Sequence, residues 1–100
     1  MEYFTTKREG DVLTVYLKDR LDTQTSPIVQ EALTPMLDGV NHLRLDMAQL
    51  NYMSSAGLRT LLFLLQKMED GKGDMALSNV NEVIRDVLEI TAMNEILTIE

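Results

Sequence analysis

The feature that most constrains the fold is the order in which strand-like and helix-like apolar patterns alternate along the chain. Residues 3–7 and 12–18 are rich in β-branched and aromatic side chains and flank the turn sequence Glu9-Gly10-Asp11, which predicts a β-hairpin. Beyond this hairpin each strand-like run follows a helix-like run. Strands connected in that way usually pair in parallel through crossover connections. The pattern therefore predicts one mixed sheet, with helices covering at least one of its faces.

The predicted element order is β-β-α-β-α-β-α-β, an α/β domain with a mixed sheet of four to five strands and about three packed helices. The first helix is expected to begin at Ser26-Pro27, with the serine as N-cap and the proline at the first helical position. It should end at Gly39, and Pro35 should bend its last turns. The other expected elements are a strand over residues 42–47, a helix from the serines at 54 and 55 to Gly71, a strand over 74–78, a helix capped by Asn79 or Asn81, and a strand over 96–99.

Composition and charge limit the classes of partner. Residues 1–100 have the size and the 45% apolar content of one globular domain, and without cysteine they offer no disulfide, thiol nucleophile or cysteine-ligated metal. The formal charge of −7 opposes the phosphates of nucleic acid and of anionic lipids. The longest apolar run, Leu61 to Leu65, is too short to span a bilayer. We expect a cytoplasmic protein that contacts neither nucleic acid nor membrane directly.

The sequence contains no motif typical of a catalytic or cofactor-binding site. A serine hydrolase needs a base beside its nucleophile, but His42 is the only histidine and the G-x-S-x-G elbow is absent. Neither G-x-x-x-x-G-K-[ST] nor G-x-G-x-x-G occurs, so no phosphate-binding loop is predicted. The carboxylates have no calcium-loop spacing. We therefore predict no catalytic residue, no metal ligand and no cofactor.

The most informative stretch is YMSSAGLR, residues 52–59, where a strand-like segment gives way to a helix. Ser54 or Ser55 could accept a hydrogen bond from an unpaired backbone N–H and cap the helix, a contribution of about 1 kcal/mol. Alternatively, one hydroxyl is accessible to a kinase, and the helix N-terminus favours the resulting phosphate. Gly57 has no side chain, which would let the backbone of another protein approach. Spacing alone favours the capping role.

Three segments of the chain carry the pattern of one known family. Arg20-Leu21-Asp22 stands where that family often has G-x-[LI]-D, without the preceding glycine, and Leu43-Arg44-Leu45-Asp46 with Leu50 matches a strand of the family. Residues 52–58 match hydrophobic-[DS]-S-[STA]-G-L. On these residues the chain resembles the STAS-domain anti-sigma-factor antagonists of bacterial sporulation and stress-response switches. The resemblance runs from about Phe4 to the C-terminus and implies a single STAS domain.

The resemblance also implies a function. In that family the serine after the [DS] position, here Ser55 with Ser54 as the alternate, is phosphorylated by a serine/threonine kinase with a histidine-kinase-like ATPase fold. The unphosphorylated protein binds this anti-sigma kinase and displaces the sigma factor, and a serine phosphatase reverses the modification. The chain would be the substrate of phosphoryl transfer and not an enzyme. The partner-binding residues implied are Asp22, Thr23, Met53, Ser54, Ser55, Ala56, Gly57, Leu58 and Arg59.

Two alternatives remain open at this point. A STAS module also serves as a constitutive scaffold in signalling or transport complexes, with the same fold. A small hydrolase using Ser55 is the other alternative. Arg59 either pairs with a phosphate on Ser55 or is an ordinary surface residue of the helix.

Overall fold

The computed structural model describes residues 3–100 and contains a five-stranded sheet in which the spatial order of the strands equals their order along the chain. β1 and β2 form the predicted antiparallel hairpin, and β2 to β5 are parallel. The predicted α/β class and mixed sheet are confirmed. The strands are β1 (Phe4–Glu9), β2 (Val12–Leu21), β3 (His42–Met53), β4 (Asp74–Ser78) and β5 (Thr98–Ile99).

Three α-helices connect the neighbouring parallel strands: α1 (Thr25–Leu33), α2 (Ser55–Asp70) and α3 (Glu82–Ile90). Because every crossover steps in the same direction across the sheet, right-handed connections place all three helices on one face. Short 3-10 helices follow α1 and α3, at Thr34–Leu37 and Met93–Glu95. The chain therefore has a two-layer architecture with one helical layer.

The core lies between the sheet and this helical layer. Alternate residues of the central strands are buried there, including Leu43 and Leu45 of β3, which are at most 1% exposed. The residue between them, Arg44, is exposed on the opposite face. α2 buries Leu58, Leu61, Leu64 and Met68. Leu62 of the same helix is 37% exposed and lies outside this buried face.

The strand β3 is longer than the sequence predicts and contains two irregularities. The sequence predicts that it ends at Met47, but it continues to Met53. Its pairing with β2 shifts register twice, and each shift inserts one extra β3 residue. Each insertion breaks the alternation of polar and apolar residues on which the prediction depends. The extension carries β3 directly to the serine motif.

Asn81 connects α3 to the irregular part of β3. Its amide nitrogen donates hydrogen bonds to the carbonyls of Met47 (3.0 Å) and Leu50 (2.7 Å), and its amide oxygen accepts one from the Ile84 N–H (3.0 Å). Asn81 is therefore the N-cap of α3, one of the two residues predicted for that role. Both carbonyls lie beyond Asp46, the last β3 residue paired with β4, so this side chain contacts β3 where its β4 neighbour has ended.

The predicted boundaries of α1 need correction. The helix begins at Thr25, one residue before the predicted N-cap Ser26, and the Asp22 carboxylate accepts the hydrogen bonds from the backbone N–H groups of Gln24 and Thr25 at its start. The α-helix ends at Leu33, before Gly39, and the following 3-10 turn contains Pro35. The predicted irregularity at the proline is confirmed, because proline has no N–H to continue the α-helical pattern.

A charged cluster joins the amino-terminal ends of the parallel strands. Nδ1 of His42 lies 3.0 Å from both carboxylate oxygens of Asp74, and Nε2 lies 3.9 Å from the Asp11 carboxylate. The hydrogen bond and the charge of Asp74 raise the pKa of His42 above its usual 6.5. Protonated His42 therefore stabilises the folded chain.

We expect this cluster to make stability depend on pH. Because the folded-state pKa of His42 is raised, its contribution is fully present below about pH 6.5 and is lost as the pH rises through the folded-state value. Urea unfolding of the wild type and His42→Gln at about pH 5.5 and about pH 8.5 checks this. The free-energy advantage of the wild type over the variant should shrink at the higher pH. An advantage that stays constant or grows would contradict the role of His42.

Candidate functional site

The serine motif lies where β2 and β3 end side by side. Leu21 and Met53 are paired as the last residues of these parallel strands. The Ser54 N–H then donates a hydrogen bond to the Leu21 carbonyl, at 3.0 Å. The loop that begins with Asp22 is therefore adjacent to the start of α2. Crevices outside the carboxyl ends of parallel strands are the usual location of functional sites in α/β proteins.

The two serines have different environments. Ser54 is the N-cap residue with extended backbone (φ −96°, ψ 179°), yet its side chain makes no capping hydrogen bond. Its Oγ is buried and has no hydrogen-bond partner within residues 3–100. Ser55 is the first helical residue and is exposed. The prediction that a serine hydroxyl caps α2 is therefore wrong for Ser54, although the helix begins where expected.

Gly57 is a position of close contact between α2 and β2. A Cβ atom there would lie 2.5 Å from the Leu21 carbonyl oxygen and 2.7 Å from Cγ of Met53. Gly57 is buried, so its missing side chain accommodates this chain's own backbone. That is a different reason from the predicted approach of another protein. The contact fixes the position of the first turn of α2 against the end of β2.

Asp22 organises the loop between β2 and α1. Its Oδ1 accepts hydrogen bonds from the backbone N–H groups of Gln24 (3.0 Å) and Thr25 (2.9 Å), and its Oδ2 pairs with Nε of Arg20 at 3.0 Å. The bond from the Thr25 N–H is the largest cause of the lowered pKa of Asp22. The carboxylate therefore stays ionised at neutral pH and holds the loop beside α2.

The nine predicted partner-binding residues come together at this edge, but they differ in exposure. Thr23, Ser55 and Arg59 are exposed. Asp22, Ser54 and Ala56 are half-buried, and Met53, Gly57 and Leu58 are buried beneath them. We call these nine residues the docking surface, after the partner-binding role that the sequence resemblance implies for them. Its buried members give it shape, and its exposed members are available to a second molecule.

Comparison with known proteins identifies the family. The model of the STAS domain matches residues 3–100. The chain belongs to the STAS-domain family. The anti-sigma-B factor antagonist of Listeria monocytogenes is 25% identical over 96 residues, covering 94% of this chain and 83% of that protein. The corresponding antagonist of Bacillus subtilis is 24% identical over 93 residues, with 93% and 85% covered.

Solved structures share the fold of this STAS domain. The anti-sigma factor antagonist SpoIIAA in its unphosphorylated form superposes with a TM-score of 0.83 at 16% identity, covering 97% of this chain and 87% of that one. The phosphorylated form of SpoIIAA from Bacillus gives a TM-score of 0.74, also at 16% identity, with 97% and 90% covered. At these identities the likeness concerns the fold alone.

The hydrolase alternative does not agree with the geometry of this STAS domain. His42 begins β3 and Ser55 follows its other end, so the 12-residue strand separates them by roughly 30 Å. Within the described range no three His, Asp or Glu side chains are grouped as metal ligands. No helix over residues 3–100 has the length and apolar character needed to cross a membrane.

Sequence reasoning missed three polar residues beside the docking surface. Ser26 is 2% exposed and Thr60 is 3% exposed, and both line a cleft between α1 and α2. The Thr60 hydroxyl donates a hydrogen bond to the side-chain oxygen of Gln30, at 3.2 Å, and this bond connects α2 with α1. The signal for Thr60 was present, since it lies between Leu58 and Leu61 on the buried side of α2. For Ser26, the Ser-Pro sequence suggested a cap instead.

Proposed function

We propose that this STAS domain is an anti-sigma-factor antagonist switched by phosphorylation of Ser55. The unphosphorylated docking surface binds an anti-sigma serine kinase and releases the sigma factor, and phosphate on Ser55 ends that binding. The names of the Listeria and Bacillus relatives support the class of function. The observation that carries the choice of residue is the difference in accessibility, since Ser55 is exposed whereas the Ser54 hydroxyl is buried.

The electrostatics of the first turn of α2 support a switch that leaves the helix intact. The first turn contains no acidic residue, and the Ser54 side chain supplies no cap. A phosphate on Ser55 would therefore be favoured by the helix N-terminus. Arg59 lies one turn further along and, among residues 3–100, forms no ion pair, so it is available to the phosphate.

The same phosphate opposes docking. It adds nearly two negative charges to a surface that loses water when the complex forms. Arg59 carries one positive charge and offsets only part of this phosphate charge. The part that stays uncompensated on burial costs several kcal/mol, and each 1.4 kcal/mol is a tenfold change in affinity. Charge alone is therefore sufficient to switch binding without a large structural change.

The partners of this chain carry out the transfer and the removal of the phosphate. ATP, magnesium and the general base belong to the kinase, this chain is its substrate, and a serine phosphatase removes the phosphate. We place this cycle in the bacterial cytoplasm. A constitutive STAS scaffold would use the same fold but would need no modification of Ser55.

Mapping of the phosphorylated residue tests the proposal directly. The ATPase-type anti-sigma kinase encoded nearest to this chain's gene should add one phosphate to the intact protein, and peptide mass spectrometry should place it on Ser55. Ser55→Ala should abolish the mass shift, whereas Ser54→Ala should retain it because the Ser54 hydroxyl is buried. A complex that forms with no phosphate added would indicate the scaffold, and a phosphate on Ser54 would contradict the choice of residue.

A further inference from the structure

α3 lies beside α2 in the helical layer, on the side opposite α1. The crossover connections step in one direction across the sheet, so α2 lies between α1 and α3. Over residues 3–100, α1 contacts α2 more extensively than α3 does. α2 and α3 are therefore less closely packed than α1 and α2.

The side of α2 that faces α3 is apolar. The opposite side is identified by Thr60, whose hydroxyl donates a hydrogen bond to the Gln30 side chain of α1. Two residues correspond to about 200° around a helix, so Leu58 and Leu62, two residues before and after Thr60, lie on the side away from α1. Leu65, three residues after Leu62, continues this side. Three leucines therefore border the space beside α3.

The side of α3 that faces α2 is apolar too. The two helices run in the same direction and each buries one side against the sheet, so equivalent positions on them face the preceding helix. Thr60, directly before a buried leucine of α2, faces α1. Val83 and Val87 come directly before the buried residues Ile84 and Leu88. They therefore face α2.

These side chains form a continuous surface that we call the apolar groove: Leu58, Leu62 and Leu65 of α2, and Val83, Val87 and Ile90 of α3. Leu62 is 37%, Val83 is 55% and Ile90 is 85% exposed. The groove adjoins the docking surface, because Leu58 belongs to both and Ser55 lies one turn before it. Exposed apolar surface of this kind is typical of a protein-binding site.

The exposed side of α3 is acidic. Glu82, Asp86 and Glu89 are exposed, and none of them forms an ion pair with a residue from 3 to 100. Arg85 is two residues from each groove valine and therefore lies on the side of α3 away from α2. Basic side chains of a partner would be attracted to these acids. A second copy of this chain would bring the same acids and a formal charge of −7, so like charges oppose self-association.

We propose that the apolar groove binds an amphipathic helix of the anti-sigma kinase. Its apolar side chains pack against the groove, and Lys or Arg side chains beside them pair with the acids of α3. Arg59, at the Ser55 end of α2, remains available to a phosphate on Ser55. The inference rests on the proposed function and extends the kinase contact from the docking surface along α2 and α3.

Glutamine at exposed groove positions tests this docking. Leu62→Gln and Val83→Gln should each weaken binding to the purified kinase roughly tenfold, measured by calorimetry, because apolar contact is lost. The urea unfolding midpoint of the free chain should change little, since both side chains are exposed and glutamine is a good helix former. Ile28→Gln is the matched control, because Ile28 is 44% exposed and lies two residues before Gln30, on the side of α1 away from α2. It should bind within about threefold of the wild type.

Charge reversal tests the basic character of the partner. Asp86→Lys should weaken kinase binding roughly tenfold, because it places a cation where the kinase helix carries Lys or Arg. Asp38→Lys, the same charge change at an exposed residue beyond α1, should leave affinity within about threefold. Equal binding of the two lysine variants would contradict a basic partner helix.

The outcomes distinguish the groove from the switch. Unchanged affinity of Leu62→Gln and Val83→Gln, in an experiment where Ser55→Asp loses binding, would overturn the groove and leave the proposed function standing. Unchanged affinity of Ser55→Asp would instead contradict the proposed function itself. A wild-type dimer in sedimentation experiments that Val83→Gln dissociates would assign the groove to a second copy of this chain and overturn the inference.

Discussion

Replacement of Ser55 by aspartate should weaken binding to the anti-sigma kinase by roughly a hundredfold. The carboxylate imitates part of the phosphate charge at the first position of α2, where Ser55 is exposed and the surface must lose water on docking. The helix itself should be retained, because an acidic residue in the first turn is favourable for a helix. Isothermal titration calorimetry with the purified kinase measures the change, and circular dichroism verifies the fold.

Ser55→Asn is the matched control for this experiment, since it has nearly the shape of the aspartate variant but no charge. It should bind within about threefold of the wild type, as should Ser55→Ala. If the asparagine variant lost as much affinity as the aspartate variant, steric exclusion and not charge would be responsible. Equal affinities for all the variants would show that Ser55 is not the switch.

Substitution of Gly57 by alanine should lower the free energy of unfolding by about 2–3 kcal/mol. The added Cβ would lie 2.5 Å from the Leu21 carbonyl oxygen, a backbone atom that cannot move independently of the sheet. Alanine is the better helix former by about 1 kcal/mol, so the clash outweighs the gain in propensity. Urea unfolding monitored by circular dichroism measures the loss.

Gly71→Ala is the control for Gly57→Ala. Gly71 ends α2 with a negative φ of −87°, and an added Cβ would lie 3.7 Å from the nearest carbonyl oxygens, an ordinary contact. Its stability should change by no more than about 1 kcal/mol, with an increase favoured. A Gly57→Ala protein as stable as Gly71→Ala would mean that α2 does not depend on close contact with β2.

The parts of the fold that follow from local patterns could be predicted from sequence. The hairpin turn at Glu9-Gly10-Asp11, the disturbance at Pro35 and the cap at Asn81 depend on backbone chemistry that each residue carries with it. The extension of β3 beyond Met47 could not be predicted, because its insertions are stabilised by contacts distant in the chain. The same holds for α1, whose cap is a loop carboxylate and not the adjacent Ser26.

The candidate site was predictable in position but not in detail. The motif around Ser55 indicated the docking surface, yet periodicity could not distinguish an exposed hydroxyl from the buried one at Ser54, since both precede the same apolar stripe. The role of Gly57 could not be predicted from sequence either, because the atom it contacts is the carbonyl oxygen of Leu21, which is distant along the chain. The cleft near Ser26 could not be predicted, because it forms only where α1 packs against α2.

The most direct test of the central claim uses the wild-type chain before and after enzymatic phosphorylation. Calorimetric titration against the anti-sigma kinase should show tight binding for the unmodified chain and binding weaker by at least about a hundredfold once one phosphate is present on Ser55. Treatment with a serine phosphatase should restore the original affinity. Equal affinity of the phosphorylated and unmodified proteins would contradict the account.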